Sequence, residues 1–87
     1  MTKGYNKIKK IALTKEQITI IRSILCIIDK FLDEEYETLF IFIYQYDFCF
    51  YDIACRLFIS ESTAKRKNVK LKKLISIILK DVSIFKK

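Results

Sequence analysis

The sequence predicts an all-α fold of four to five helices, with a tri-helical core, a helix-turn-helix and a long C-terminal helix. The 87 residues contain no proline and one glycine, Gly4, so the residues that usually form tight turns between strands are missing. Apolar residues recur at helical spacing instead. The length suits one small domain, and 52% hydrophobic residues suffice for a core. We expect residues 1–87 to form this single domain, with residues 1–13 as a flexible basic arm.

The first helix is predicted over residues 15–32. Thr14 precedes Gln17 by three positions, which is the spacing of a capping box that satisfies the first backbone N–H groups. The apolar positions that follow have helical spacing and give this helix a wide apolar face: Ile18, Ile21, Ile24, Leu25, Ile28, Phe31 and Leu32.

The second helix is predicted over residues 34–46, with Asp33 as its N-cap. Acidic residues in its first turn oppose the positive end of the helix dipole. Residues 39–44 are apolar all round, which indicates deep burial or a partner surface. A buried strand over the same six residues is the alternative that periodicity leaves open.

Two further helices follow breaks in the apolar pattern. Residues 46–49 form a turn, and a short third helix runs over residues 50–57 with Ile53, Ala54 and Leu57 facing inward. After a break at residues 58–60, Ser60 caps a long fourth helix over residues 61–85. Its apolar stripe consists of Ala64, Leu71, Ile75, Ile78 and Val82.

Charge is segregated along the chain, which carries a net charge of +7. Residues 1–28 contain six basic and one acidic side chain, residues 29–52 contain one basic and seven acidic, and residues 61–87 contain nine basic and two acidic. Such segregation is expected when one surface approaches a polyanion and another packs or meets a protein partner. A lysine-rich solubility coat is the simpler alternative.

Composition argues against catalysis, cofactors and metals. Histidine, the commonest general base and metal ligand, is absent. The three cysteines have no Cys-x-x-Cys spacing, so we expect reduced thiols and no zinc site. No uncharged stretch approaches the ~18 residues of a spanning helix, and the N-terminus lacks the features of a secretion signal. We expect a soluble, cytoplasmic protein that is not an enzyme.

Residues 49–67 have the pattern of a helix-turn-helix, whose second helix lies in the DNA major groove. Ser62, Lys65 and Arg66 lie in the first two turns of that helix and are the candidates for reading bases. Thr63 flanks them. The phosphate-contacting candidates are Lys67, Lys70, Lys72 and Lys73. A solvated lysine face on a basic helix is the alternative.

Two segments resemble the helix-turn-helix of sigma-factor region 4: residues 50–54, Phe-Tyr-Asp-Ile-Ala, and residues 57–66, Leu-Phe-Ile-Ser-Glu-Ser-Thr-Ala-Lys-Arg. With residues 28–36 ahead of them, the arrangement is most similar to phage regulators of the ArpU and RinA type. The resemblance covers residues 28–78. It implies a DNA-binding regulator of late transcription, encoded by a phage or another mobile element.

The sequence departs from this family at two positions. Phe58 stands where the family usually has glycine, and Ala64 where it has a bulky β-branched residue. Because a phenylalanine at positive φ is strained, we expect a wider turn or a shifted helix junction.

Partner surfaces are predicted at two places. A second apolar line on the fourth helix, formed by Leu74, Ile77 and Ile84, predicts a homodimer through residues 74–85. As an alternative to DNA binding, the protein is an interaction module for RNA polymerase or a sigma factor, using the acidic patch of Asp33, Glu34, Glu35 and Glu37. Binding to a membrane surface through residues 65–87 is disfavoured because the core occupies the apolar face of that helix.

Overall fold

The computed structural model of the chain describes residues 8–81, and the side chains of residues 8–80. Its helices are α1 (Lys15–Leu32), α2 (Tyr36–Phe40), α3 (Phe50–Leu57) and α4 (Glu61–Asp81), and α2 continues into a π-helical turn (Ile41–Gln45). The described residues contain no strand, so the all-α prediction is confirmed and the strand alternative for residues 39–44 is wrong. In the same part of the chain, no helix combines the length and apolar character needed to cross a membrane. Residues 82–85 of the predicted fourth helix lie outside the described residues.

The start of α1 is the predicted capping box. The Gln17 N–H donates to Thr14 Oγ1 at 3.1 Å, and the Thr14 N–H donates to Gln17 Oε1 at 2.9 Å. Two backbone donors are therefore satisfied by two side chains three residues apart. The bounds of α1 agree with the prediction because these signals are local.

The corner between α1 and α2 corrects the prediction that Asp33 caps the second helix. Asp33 ends α1 in the left-handed conformation, with φ 54°, and the next residue, Glu34, donates its N–H to the Asp29 carbonyl at 3.3 Å. The capping is done from the last turns of α1. The Asp29 carboxylate accepts the N–H groups of Tyr36 at 2.9 Å and Glu37 at 2.8 Å, and so joins α2 to α1.

The widened π-helical turn brings the aromatic residues of the second helical segment together. The Tyr46 N–H donates to the Ile41 carbonyl at 3.0 Å, five residues back. Within this segment the rings of Phe40 and Tyr44 stack with their centroids 4.6 Å apart. The segment is deeply packed, as its composition predicts: Leu39, Phe40 and Ile43 are buried in the core, and Phe42 and Tyr44 pack against it.

One hydrophobic core joins the four helices. The α4 stripe packs against α2 and α3, and the described members of the predicted stripe are all buried. Val82 lies outside the described residues. The most deeply buried large side chains come from every helix and from the π-helical turn: Ile21, Leu25, Leu39, Phe40, Ile43, Ile53, Leu71 and Ile75.

Residues 8–13 differ from the flexible basic arm that the sequence predicts for residues 1–13. Ile8 is buried in the core. The Ile11 N–H donates to Tyr44 Oη at 3.3 Å, and Lys10 Nζ donates to Asp47 Oδ1 at 2.9 Å. Burial raises the pKa of Tyr44 above its ordinary value. Residues 8–13 lie against the helices because Ile8 contributes apolar surface to the core; residues 1–7 lie outside the described residues.

The corner between α3 and α4 retains the predicted junction. α3 ends at Leu57 and α4 begins at Glu61. The expected wider turn or shifted junction is wrong, because Phe58 itself adopts the left-handed conformation at φ 58° and ψ 43°. The N–H groups of Phe58 and Ile59 both donate to the Ala54 carbonyl, which closes the helix end. The side chain of Phe58 is 93% exposed, so no packing offsets the backbone strain.

Replacing Phe58 with glycine is therefore expected to stabilise the protein. Relief of left-handed strain, less the added backbone entropy of glycine in the unfolded chain, should raise the free energy of unfolding by roughly 0.5–1 kcal/mol. Phe58→Ala is the control, because it removes the ring and keeps the Cβ atom. Urea unfolding measures both variants. A Phe58→Gly variant no more stable than Phe58→Ala would contradict the strain.

Candidate nucleic-acid interface

The first turn of α4 is held by hydrogen bonds centred on Thr63. The Thr63 N–H donates to Ser60 Oγ at 3.1 Å, which confirms Ser60 as the N-cap, and the Ser60 hydroxyl donates to Thr63 Oγ1 at 2.9 Å. Arg66 Nη2 also donates to Thr63 Oγ1, at 3.3 Å. The guanidinium of Arg66 is thereby drawn toward the N-terminal end of the helix, which is the end that enters the groove in a helix-turn-helix.

The predicted site residues divide by exposure. Ala64, Leu71, Ile75 and Ile78 face the core, so the opposite side of α4 faces solvent. Thr63, Lys67 and Lys72 are half-buried at its edges. The exposed side chains between these edges follow the predicted helical spacing: Ser62, Lys65, Arg66, Val69, Lys70 and Lys73.

A shallow groove of about 220 Å³ runs along one edge of this face. It is lined by Thr63, Arg66, Lys67 and Lys70, which recur at three- and four-residue spacing and so share one side of α4. Three cations within two helical turns give the groove a positive potential that suits phosphate oxygens.

Two cations near the helix-turn-helix lie over aromatic rings, a pairing that the sequence analysis missed. Lys65 Nζ lies 5.9 Å from the centroid of Phe50, and Arg56 Cζ lies 4.4 Å from that of Phe48. No local spacing signals either contact, because each joins residues eight or more positions apart. Both contacts tie basic side chains to the segment in which α3 begins.

The acidic patch predicted at residues 33–37 is partly engaged inside the molecule. Glu34 Oε1 lies 3.7 Å from Lys67 Nζ, and Glu37 Oε2 lies 4.0 Å from Arg22 Nε. Asp33 and Glu35 are exposed. The patch is therefore smaller than the sequence predicts, and one of its members reaches the basic helix.

The second apolar line predicted on α4 is corrected in part. Leu74 is half-buried and packs against the core, since it lies at the edge of the inward stripe. Ile77 is 54% exposed, as predicted, and Ile84 lies outside the described residues. A larger exposed apolar group lies on α1 instead. Phe31, predicted on the apolar face of the first helix, is 84% exposed, and Ile27 and Leu32 are exposed beside it.

Comparison of the chain with protein-family models, with curated proteins and with solved structures finds no match. The chain's own residues therefore carry the functional inference.

The N-cap of α4 is expected to stabilise the protein. Ser60→Ala removes the acceptor for the Thr63 N–H and should lower the free energy of unfolding by about 1 kcal/mol. Ser62→Ala is the matched control, because Ser62 is exposed two residues later and makes no side-chain hydrogen bond to the described residues. Chemical denaturation should show little change for this control. Equal losses in both variants would contradict the capping role of Ser60.

Proposed function

We propose that the protein is a sequence-specific DNA-binding regulator of transcription, acting without catalysis in the cytoplasm of a bacterial cell. The observation that carries this proposal is the exposed side of α4. There a capped helix N-terminus and the exposed cations Lys65, Arg66, Lys70 and Lys73 face solvent beside a short preceding helix. The role in transcription and the phage or mobile-element origin rest on the resemblance of residues 28–78 to sigma region 4-like regulators.

Different residues of α4 have different tasks in this proposal. Ser62, Lys65 and Arg66 lie in the first two turns, the part of a recognition helix that reaches base edges. Arg66 is suited to a bidentate contact with guanine, and Val69, exposed one turn further, to a thymine methyl group. The remaining lysines bind phosphates, which fix the register of the helix without selecting a sequence: Lys67, Lys70, Lys72 and Lys73.

The Thr63 contact favours this proposal over a solvated lysine face. A lysine coat needs no hydrogen-bonded arginine, because its charges act through water. Here Ser60, Thr63 and Arg66 form a connected chain of hydrogen bonds at the helix N-terminus. Such a chain lowers the entropy that Arg66 loses when it binds a base.

Substitution of two basic residues separates base reading from phosphate binding. Arg66→Ala should lower affinity for the preferred site by ~1–3 kcal/mol and relax the base preference at one position. Lys72→Ala should weaken all duplexes about equally. Fluorescence anisotropy with the preferred duplex and single-base variants measures both effects. Direct reading by Arg66 would be abandoned if both substitutions produced the same uniform loss.

A second candidate function is an interaction module that binds RNA polymerase or a sigma factor without binding DNA. The exposed acidic residues Asp33 and Glu35 and the apolar side chains at the end of α1 favour it. The salt dependence of duplex binding distinguishes the two. About four to six phosphate contacts would make affinity fall steeply with salt, whereas the interaction module would show little affinity at any salt concentration.

We also propose a homodimer whose interface includes apolar side chains of α1 in addition to Ile77 of α4. Exposed contiguous apolar surface commonly marks a protein contact. In α1, Ile20, Ile24, Ile27 and Phe31 have alternating four- and three-residue spacing, as in the seam of paired helices. Ile27 and Phe31 are exposed, whereas Ile20 and Ile24 are half-buried. Of the interface that the sequence predicts on α4, Ile77 is exposed among the described residues. A two-fold dimer would present two recognition helices to two half-sites.

Sedimentation equilibrium tests this dimer at tens of micromolar, the weak end of ordinary association. The wild type should sediment as a dimer, and Ile27→Lys/Phe31→Lys as a monomer, because two charges in the seam would have to be desolvated. Thr19→Lys, an exposed change on the polar side of α1, is the control and should remain dimeric. A monomeric wild type would contradict the proposal.

A further inference from the structure

The ion pair between Glu34 and Lys67 joins the acidic segment to the groove of α4. Lys67 Nζ lies 3.7 Å from Glu34 Oε1, and both side chains are about one-third exposed. Lys67 also lines the groove together with Thr63, Arg66 and Lys70. A carboxylate of the protein is therefore paired with one of the three cations that line this groove.

The backbone of Glu34 is held in place by the corner that contains it. The preceding residue, Asp33, is in the left-handed conformation, and the Glu34 N–H donates to the Asp29 carbonyl. Two residues further, the Asp29 carboxylate accepts the Tyr36 N–H. Because hydrogen bonds restrain the chain on both sides, the position of Glu34 beside α4 is a property of the fold, unlike a chance contact between two long surface side chains.

We propose that Glu34 is an internal competitor for DNA phosphate at this groove and so determines how strongly the protein binds duplexes of arbitrary sequence. This inference rests on the proposed DNA-binding function. A phosphodiester oxygen and the Glu34 carboxylate are both anionic acceptors for the same ammonium group, so Lys67 contacts phosphate only after leaving Glu34. The effect falls on the sequence-independent part of binding, because phosphate contacts carry no base information.

The size of the effect follows from the exposure of the pair. An ion pair whose side chains are about one-third exposed is weak, so releasing Lys67 should raise affinity for an arbitrary duplex only about two- to fivefold. Affinity for the preferred site rises by the same factor, since Lys67 contacts phosphate in both complexes. Glu34 therefore leaves the ratio of specific to non-specific binding unchanged and keeps non-specific affinity low.

The experiment compares Glu34→Gln with Glu35→Gln. Both variants remove one negative charge from adjacent positions of the same loop, but Glu35 is exposed and forms no ion pair within the described residues. Affinity of the full chain for a random-sequence duplex is measured by anisotropy at low and moderate salt. We expect Glu34→Gln to bind about two- to fivefold more tightly and Glu35→Gln to show a smaller change, because its effect is long-range and screened.

A second pair of variants assigns the effect to Lys67. In a Lys67→Ala background, Glu34→Gln and Glu35→Gln should change affinity equally, because the competed cation is gone. If Glu34→Gln and Glu35→Gln changed affinity equally in the wild-type background, the inference would be overturned, because the loss of one negative charge anywhere in the loop would then explain both changes. Weaker binding by Glu34→Gln would also overturn it, and would indicate that Glu34 positions Lys67 for DNA. If the wild type and all variants failed to bind any duplex, the proposed function itself would be contradicted.

Discussion

The left-handed backbone at Phe58 is the constraint on which the direction of α4 depends. This conformation ends α3 after Leu57 and allows the Ile59 N–H to donate to the Ala54 carbonyl. Ser60 then lies where its hydroxyl caps α4. Ala54 of α3 and Ala64 of α4 are both buried, and α3 packs against α4. If the corner opened, the same basic residues would remain on α4, but their face would no longer be fixed relative to α3.

The corners between the described helices contain no glycine, so other residue types adopt the left-handed backbone conformation there. Asp33, Asp47 and Phe58 have positive φ among the described residues. Aspartate in general tolerates this conformation better than phenylalanine, because a short polar side chain can form local hydrogen bonds. Asp29 closes the corner between α1 and α2 in a second way, because its carboxylate, near the end of α1, accepts two N–H groups of α2. At the corner between α1 and α2 the start of a helix is thus closed by an acidic side chain, and this adds negative charge near Glu34.

Local signals in the sequence predicted the parts of the fold that depend on neighbouring residues. The bounds of α1 and α3 and the cap at Ser60 follow from capping residues and apolar spacing within one or two turns. The role of Asp29, the exposure of Phe31 and the packing of residues 8–13 depend on how the helices are arranged in the fold, so periodicity did not reveal them. Asn68 illustrates the same limit. It is buried among apolar positions of α4, and its Oδ1 has no hydrogen-bond partner among the described residues.

The candidate site was predictable as a face but not as a set of contacts. Helical spacing identified the outward cations of α4, while the pairing of Lys67 with Glu34 required the fold. The central claim is that this face reads DNA sequence, and selection of bound sites from a random duplex library with the purified protein tests it most directly. The account predicts enrichment of one short motif, with fixed half-site spacing if the protein binds as a dimer. Recovery of duplexes with unchanged base composition, or of none, would contradict it.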